Sequence, residues 1–393
     1  MRDVVIVSAV RTAIGKLGGA LTDVPAVELG RLVAVEAIRR AAIAPDQVDE
    51  VLIGHALQAG AGSNLARQVL LQAGIPHAVP ATTVNKVCAS GMKAITLAAL
   101  SIAAGENDVV LAGGVENMSA APYLLRNARW GYRLGAAEIS DVILSDALTD
   151  PLSGRHMGET AEIIAEEFNI TRLAQDAFAA QSQQKAGRAL LEGRFESEIV
   201  GVPIRQKKSH ETKLFMVDEF PRPNTTQETL AALRPAFKED GTVTAGNSSG
   251  INDGAAAVVL MAADVAALRG TMPMARILSY ASAGVEPLRM GIGPIPATQL
   301  ALRRAGISIH QIDLVELNEA FAAQSIAVIG QLDLDPDIVN VNGGAIALGH
   351  PVGATGARIV VTLVHSLAHR EDHIGLATLC VGGGQGMAIV LER

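Results

Sequence analysis

The chain has 393 residues, of which 49% are hydrophobic, 18% charged and 3% aromatic. That is enough apolar material for two or three packed units, and it excludes a disordered chain. A net charge of −8 without a clustered basic face excludes a nucleic-acid footprint, and no uninterrupted apolar run of about 18 residues marks a membrane span. The opening MRDVVIVSAV has no cleavage-site pattern and reads as a first strand; the expected compartment is the cytoplasm.

In chain order, residues 3–9 predict a strand, 26–42 a helix, 50–57 a strand and 64–73 a helix. Residues 82–88 then predict a strand, 92–104 a helix and 108–113 a strand. Alternating β and α units argue for a mostly parallel sheet with helices on its faces. From 119 to 245 the composition changes: charges are denser, as in KKSHETK and DEFPRPN, and helices are predicted at 159–168 and 172–191. An insertion of this kind usually shapes a substrate site. The stretch GTVTAGNSSGINDGAAAVVLMA leads back to a strand of the first half. The last part repeats the opening plan. Strands are predicted at 274–285, 314–317, 338–341, 375–380 and 386–391, with helices at 297–305, 321–331 and 355–368.

The repeat is visible in the letters. AIRRAAIAPDQVDEVLIGHA (37–56) aligns without gaps on ALRRAGISIHQIDLVELNEA (301–320), and roughly half the positions are identical. Internal duplication decides architecture. The expected organisation is an N-terminal half at 1–118 completed by 246–270, an inserted loop domain at 119–245, and a C-terminal half at 271–393.

Four motifs carry chemistry. In VNKVCASGMKAI a strand enters a tight turn holding Cys88, and a helix begins just beyond. A helix N-terminus lowers a thiol pKa and offers N–H groups to an anion, so Cys88 reads as a nucleophile; a buried core thiol is the plainer alternative. In NGGAIALGHPVGATGAR, His350 stands in a glycine-rich loop before a helix, placed to take a proton from a thiol or, less specifically, to sit in a phosphate-cradling loop. In CVGGGQGMAIVL, Cys380 ends a strand; it could serve as a base on a carbon acid, and the N–H groups of Gly382–Gly384 could bind an enolate oxygen. In ELNEAFA, Asn318 and Glu319 end a buried strand, where polar side chains need partners; Asn318 suits a held water or a cap. The cysteines are only two, too few for a disulfide framework.

Taken together, NKVCxSG, NEAF, GHPxGxTG and CxGGGxG resemble the thiolase family in order and spacing. HMGxTAE (156–162), RPAF (234–237) and GTVTAGNSSGINDGA (241–255) extend the resemblance over essentially the whole chain. It implies a layered αβαβα fold of the α/β class. It also implies reversible cleavage of 3-ketoacyl-CoA, or Claisen condensation of acetyl-CoA with an acyl-CoA, through an acyl group on Cys88 with ping-pong kinetics. By resemblance, Cys380 exchanges the α-proton and His350 activates Cys88. His350 and a water on Asn318 form one oxyanion hole, and the N–H groups of Cys88 and Gly382 form the other.

The resemblance places adenine and phosphate contacts at Leu148, Arg222 and Phe237. It places the pantetheine tunnel at His156, Met157, Ser248, Ala320 and Phe321. Coenzyme A is a co-substrate, and no metal or other cofactor is implied. The HMG segment looks more like acetoacetyl-CoA thiolases, which implies short acyl chains. A homodimer or homotetramer is expected, with no nucleic-acid or membrane partner. Two alternatives stay open. A catalytically silent CoA- or lipid-binding homologue would need neither thiol, and a decarboxylating condensing enzyme of the ketoacyl synthase type would need only one cysteine.

Overall fold

The computed structural model describes residues 2–205 and 211–393; part of the KKSHETK stretch lies outside the described residues. Nine strands form the main path of one sheet: β1 (Val4–Thr12), β2 (Glu50–Gly54), β3 (Ala81–Val84), β4 (Val109–Asn117), β5 (Asn252–Ala262), β6 (Ala275–Gly284), β7 (Leu314–Leu317), β8 (Ile374–Val381) and β9 (Gln385–Glu392). The main helices are α1 (Ala26–Arg40), α2 (Leu65–Gln72), α3 (Ser90–Ala104), α4 (Met157–Glu167), α5 (Arg172–Leu191), α6 (Pro294–Ala305), α7 (Ala322–Gln331) and α8 (Val352–Arg370).

The strands lie in the order β3-β2-β4-β5-β1-β6-β9-β8-β7. The first five and the last four follow the same plan. In each set, the first strand pairs with the last, which pairs with the strand just before it in sequence. Among the described residues, the two sets pair at Val5↔Arg276 and Ile6↔Ala275.

The expectation of a mostly parallel sheet is corrected. Pairs β2/β3, β2/β4 and β7/β8 are parallel, whereas β5 and β9 run against both of their neighbours. The reason is the connection. Strands joined through a helix cross over and stay parallel, but β9 follows β8 through a tight glycine turn and must reverse. β5, reached after the insertion, takes the equivalent place.

The predicted strand 338–341 also differs. It keeps a single bridge, Val315↔Val339, because Asn340 adopts a positive φ of 47°. The Asn340 side chain accepts from Leu317 N and donates to Leu317 O, both at 2.8 Å, and so stands in for the missing backbone ladder. The predicted strand 82–88 stops at Val84, and residues 85–88 form the turn that holds Cys88.

Packing explains why β1 is buried along its whole length. Val4 and Ile6 face a central core with α3 and α8, while Val5, Val7 and Val10 face an outer core with α1 and α2. A third core places α6 and α7 on the other set of strands. The result is five layers, with α3 and α8 in the middle. The segment 87–104, which includes α3, is apolar enough and long enough to cross a membrane by composition alone, yet α3 is the covered middle layer. There α3 and α8 approach backbone to backbone: a Cβ on Gly91 would lie 2.7 Å from Ala357 N, and one on Gly356 2.6 Å from Met92 N. Both contacts sit near helix N-termini, so the two N-terminal ends converge.

Candidate active site

Cys88 precedes α3 in a turn built by short-range bonds. Asn85 Oδ1 accepts from Val87 N at 2.9 Å, Ser90 Oγ accepts from Lys86 N at 2.9 Å and donates to Val87 O at 2.6 Å. Val87 is left with a φ of 47°. Lys86 Nζ reaches Gln385 Oε1 on β9, which ties the turn to the other half. The Cys88 thiol is half-buried and takes a hydrogen bond from Gly382 N–H. Burial pushes the thiol up to about 11, with Glu116 adding to the rise and the Gly382 N–H opposing it. The lowered thiol expected from the helix N-terminus is therefore not found: desolvation outweighs the helix end. Cys88 rests as a neutral thiol and needs a base.

His350 stands in the glycine loop just before α8. Its backbone N–H donates to Asn252 Oδ1 at 3.0 Å, and Gly349, with φ of 105°, has no room for a Cβ, which would lie 2.4 Å from Asn252 Cγ. The Thr355 hydroxyl donates to Pro351 O at 2.9 Å and stands 2.7 Å from His350 Nδ1. Its one hydrogen is committed, so it accepts from Nδ1–H, and the lone pair is left on Nε2. His350 Nε2 is buried without a partner. Burial and the Arg358 charge hold the imidazole down at about 3, so it stays neutral.

Cys380 is buried at the end of β8; burial, and then the neighbouring Cys88 thiol, push its own thiol well above the usual range. It packs with Met157, Ala320, Phe321 and Phe237. Gly382 joins the two cysteine neighbourhoods, because a Cβ there would lie 3.0 Å from Met157 Cε and 3.6 Å from Val87 Cγ1. Asn318 is fully buried, with both side-chain polar atoms unpartnered.

A cavity of about 520 Å³ reaches His350 and Val352, while Cys88, Cys380, Gly382 and Asn318 lie outside its lining. Leu148, His156, Arg222, Phe237, Ser248 and Phe321 also line it; Met157 and Ala320 do not and lie beneath its wall in the apolar cluster with Cys380. His156 and Phe237 stack at 4.8 Å, and Phe237 meets Phe321 edge-on at 6.1 Å. Gly158 makes this stack possible, since a Cβ there would lie 2.3 Å from the Phe237 ring. Burial lowers the His156 imidazole. The Arg222 guanidinium stands 5.8 Å over the Phe220 ring, and its backbone N–H donates to Gln183 Oε1 at 2.7 Å.

Some participants carried no signal in the sequence. Glu116, fully buried on β4, accepts from Ala56 N at 3.0 Å and Gly353 N at 2.9 Å, and its carboxylate is 2.9 Å from His55 Nδ1. It thereby pins the start of α8 to the ends of β2 and β4. Gln183 was likewise unmarked, whereas Thr355 and Asn252 stand inside the GHPxGxTG and GTVTAGNSSGINDGA segments without a role assigned to them there.

Residues 4–264 match the thiolase N-terminal domain family and residues 271–393 the thiolase C-terminal domain family. The chain belongs to the thiolase family. Its acetyl-CoA acetyltransferase relatives include those of Escherichia coli K12, 56% identical, and Cupriavidus necator, 53% identical; each match covers 100% of both chains. Among solved structures, the Bacillus anthracis acetyl-CoA acetyltransferase superposes with a TM-score of 0.97 at 48% identity, covering 100% of this chain and 99% of that one. The Syntrophomonas wolfei acetyl-CoA acetyltransferase gives 0.98 at 43% identity, with 100% of both chains covered. Both parts of this thiolase thus match one family along the full chain, which does not favour the silent-binder or ketoacyl synthase alternatives.

Proposed function

We propose that this thiolase is an acyl-CoA C-acyltransferase of short-chain preference, acting on acetoacetyl-CoA. The observations that carry the reading are a neutral imidazole with its lone pair free on Nε2, and a Gly382 N–H that meets the Cys88 thiol, itself a neighbour of the Cys380 thiol. In the cleavage direction His350 Nε2 takes the Cys88 proton and the sulfur attacks the keto carbon. The C2–C3 bond breaks, the acyl group stays on sulfur, and acetyl-CoA leaves as its enolate. Cys380 gives its proton to C2 of the enolate. The thiol of coenzyme A then gives its proton to the Cys380 thiolate and attacks the acyl-Cys88; acyl-CoA forms, and the departing Cys88 sulfur takes back the proton held on His350. Oxygen on the carbon bound to Cys88 is met by the N–H groups of Cys88 and Gly382. The enolate oxygen is met by His350 and a water on Asn318, whose free amide atoms suit that water.

The cavity walls would hold the pantetheine arm beside His156, Ser248 and Phe321, with Met157 and Ala320 behind them. Arg222, Leu148 and Phe237 would meet the nucleotide end. No further cofactor enters this scheme. Met157, packed with Met290 and Ala161 around Cys380, fills space that a longer acyl chain would need, which supports the short-chain preference. We read the chain as an N-terminal half at 1–118 with 246–270, a loop domain at 119–245 and a C-terminal half at 271–393, working in the cytoplasm as a homodimer or homotetramer. Exposed Trp130 at 86% and Leu134 at 102% in the inserted segment support self-association, which light scattering would measure. The decisive assay is CoA-dependent cleavage of acetoacetyl-CoA beside a series of longer 3-ketoacyl-CoAs. Preference for the longest substrates would reject the short-chain reading, and inactivity on all of them the enzyme reading.

A further inference from the structure

Glu319 follows Asn318 at the end of β7 and is 1% exposed. A buried carboxylate in such a place is costly unless donors surround it. Here they do. Glu319 Oε2 accepts from Ser182 Oγ at 2.6 Å and from Ile346 N at 3.2 Å, and Oε1 accepts from Asn340 Nδ2 at 2.8 Å. Burial raises the carboxyl, while the bonds from Ser182, Asn340 and Ile346 and the charge of Lys185 oppose that rise; every hydrogen-bond partner is a donor, which matches the ionised form. The glycine loop is shaped around it, because a Cβ on Gly344 would lie 2.2 Å from Glu319 Cδ. Gly344 N also donates to Ser182 Oγ at 3.0 Å. One carboxylate therefore fastens the turn after β7 to α5 and to the 340–346 loop.

The two arms of the enolate site are held differently. His350 has its own anchors in Asn252 and Thr355. Asn318 has none on its side chain. Only its backbone is fixed, by Asn318 N to Thr378 O at 3.0 Å and Ala320 N to Asn318 O at 3.1 Å. The direction of the Asn318 amide thus depends on the turn that Glu319 fastens. We propose that Glu319 is a positioning residue: its carboxylate locks the turn that presents Asn318, and so serves the enolate-forming step rather than acylation of Cys88. The inference rests on the thiolase reading above.

A cavity of about 260 Å³ on the far side of the turn is lined by Glu319, Ser182, Lys185, Val339 and Phe178. It gives a small carboxylate a route to the place a truncated side chain would vacate, and this supplies the test. Two reactions are measured on Glu319→Ala: cleavage of acetoacetyl-CoA, which passes through the enolate, and exchange of labelled CoA into acetyl-CoA, which needs only acyl transfer to and from Cys88. Cleavage kcat should fall about 10- to 100-fold with KM little changed, while exchange stays within about 3-fold of wild type. Added formate should restore cleavage, and formamide should not. A parallel fall in both reactions, a fall in neither, or equal response to both additives overturns the proposal. If Glu319→Ala does not fold, Ser182→Ala removes the shortest of the three bonds and must lower the cleavage-to-exchange ratio; an unchanged ratio overturns it. Wild type that exchanges CoA but cleaves nothing would instead count against the thiolase reading itself.

Discussion

Thr355 gives its only hydroxyl hydrogen to Pro351 O and accepts from His350 Nδ1–H at 2.7 Å, so one residue selects the tautomer of the other. Thr355→Val keeps the shape and removes the acceptor. Its cleavage kcat should fall roughly 10-fold or more, because the wrong tautomer offers Cys88 no lone pair. Thr355→Ser should stay near wild type. Steady-state kinetics of the two variants side by side check this.

The reactivity of Cys88 should follow an alkaline titration. Its thiol stands at about 11, against an ordinary value near 9. Alkylation of the free enzyme by iodoacetamide should keep rising through pH 9 rather than level off near neutrality. The folded value lies above the unfolded one, so the stability contribution is complete below about 9 and is lost as pH rises towards 11. Cys88→Ala should flatten the pH dependence of urea unfolding in that window.

His350 predicts the opposite dependence. Its folded value near 3 lies below the ordinary 6.5, so between these limits the unfolded chain binds more protons. Stability present above 6.5 should be lost progressively on acidification. His350→Asn should unfold with less acid sensitivity between pH 6.5 and 4 than wild type, while losing cleavage about 100-fold or more.

Arg11 is fully buried on β1, paired with Glu198 and held by Asp218 through bonds of 2.7 and 2.9 Å. This network fastens Glu198 and Asp218 of the segment between β4 and β5 to the sheet. Arg11→Met would leave two buried carboxylates without their cation, and should cost about 3–5 kcal/mol in urea unfolding. A loss under 1 kcal/mol would mean that the carboxylates simply take up protons.

Met157→Ala should widen acyl tolerance. The side chain packs against Cys380 and reaches towards Gly382. Removing it opens space where the acyl chain would lie, so the kcat/KM of a 3-ketohexanoyl-CoA relative to acetoacetyl-CoA should rise roughly 10-fold. An unchanged ratio would place the chain-length limit elsewhere on the cavity wall.

Much of this was legible in the letters. The aligned segments 37–56 and 301–320 announced two similar strand sets, and the observed strand order repeats accordingly. Strand direction was harder to read, because alternation of β and α units does not encode it where a turn or an insertion replaces the helix. The three glycines after Cys380 were the available clue that β9 reverses. At the site, Cys88, His350, Asn318 and Cys380 stood in recognisable motifs. Glu116 did not, because its partners Ala56 and Gly353 lie 60 and 237 residues away and no local pattern reports a contact of that range. The raised Cys88 thiol was invisible for a related reason: a helix end can be read from sequence, but the depth of burial that outweighs it cannot.

The repeated strand plan places α3 and α8 as counterparts, meeting end to end at Gly91 and Gly356. Two identical chains docked in this way would set like against like, thiol facing thiol or imidazole facing imidazole. Within a single chain the two copies are free to differ, and here one helix end follows Cys88 while the other follows His350. Joining the copies is therefore what allows a thiol and an imidazole to occupy matching places across the seam. Under the proposed mechanism neither half alone would hold a complete site, and separated halves would recover it only by finding each other again.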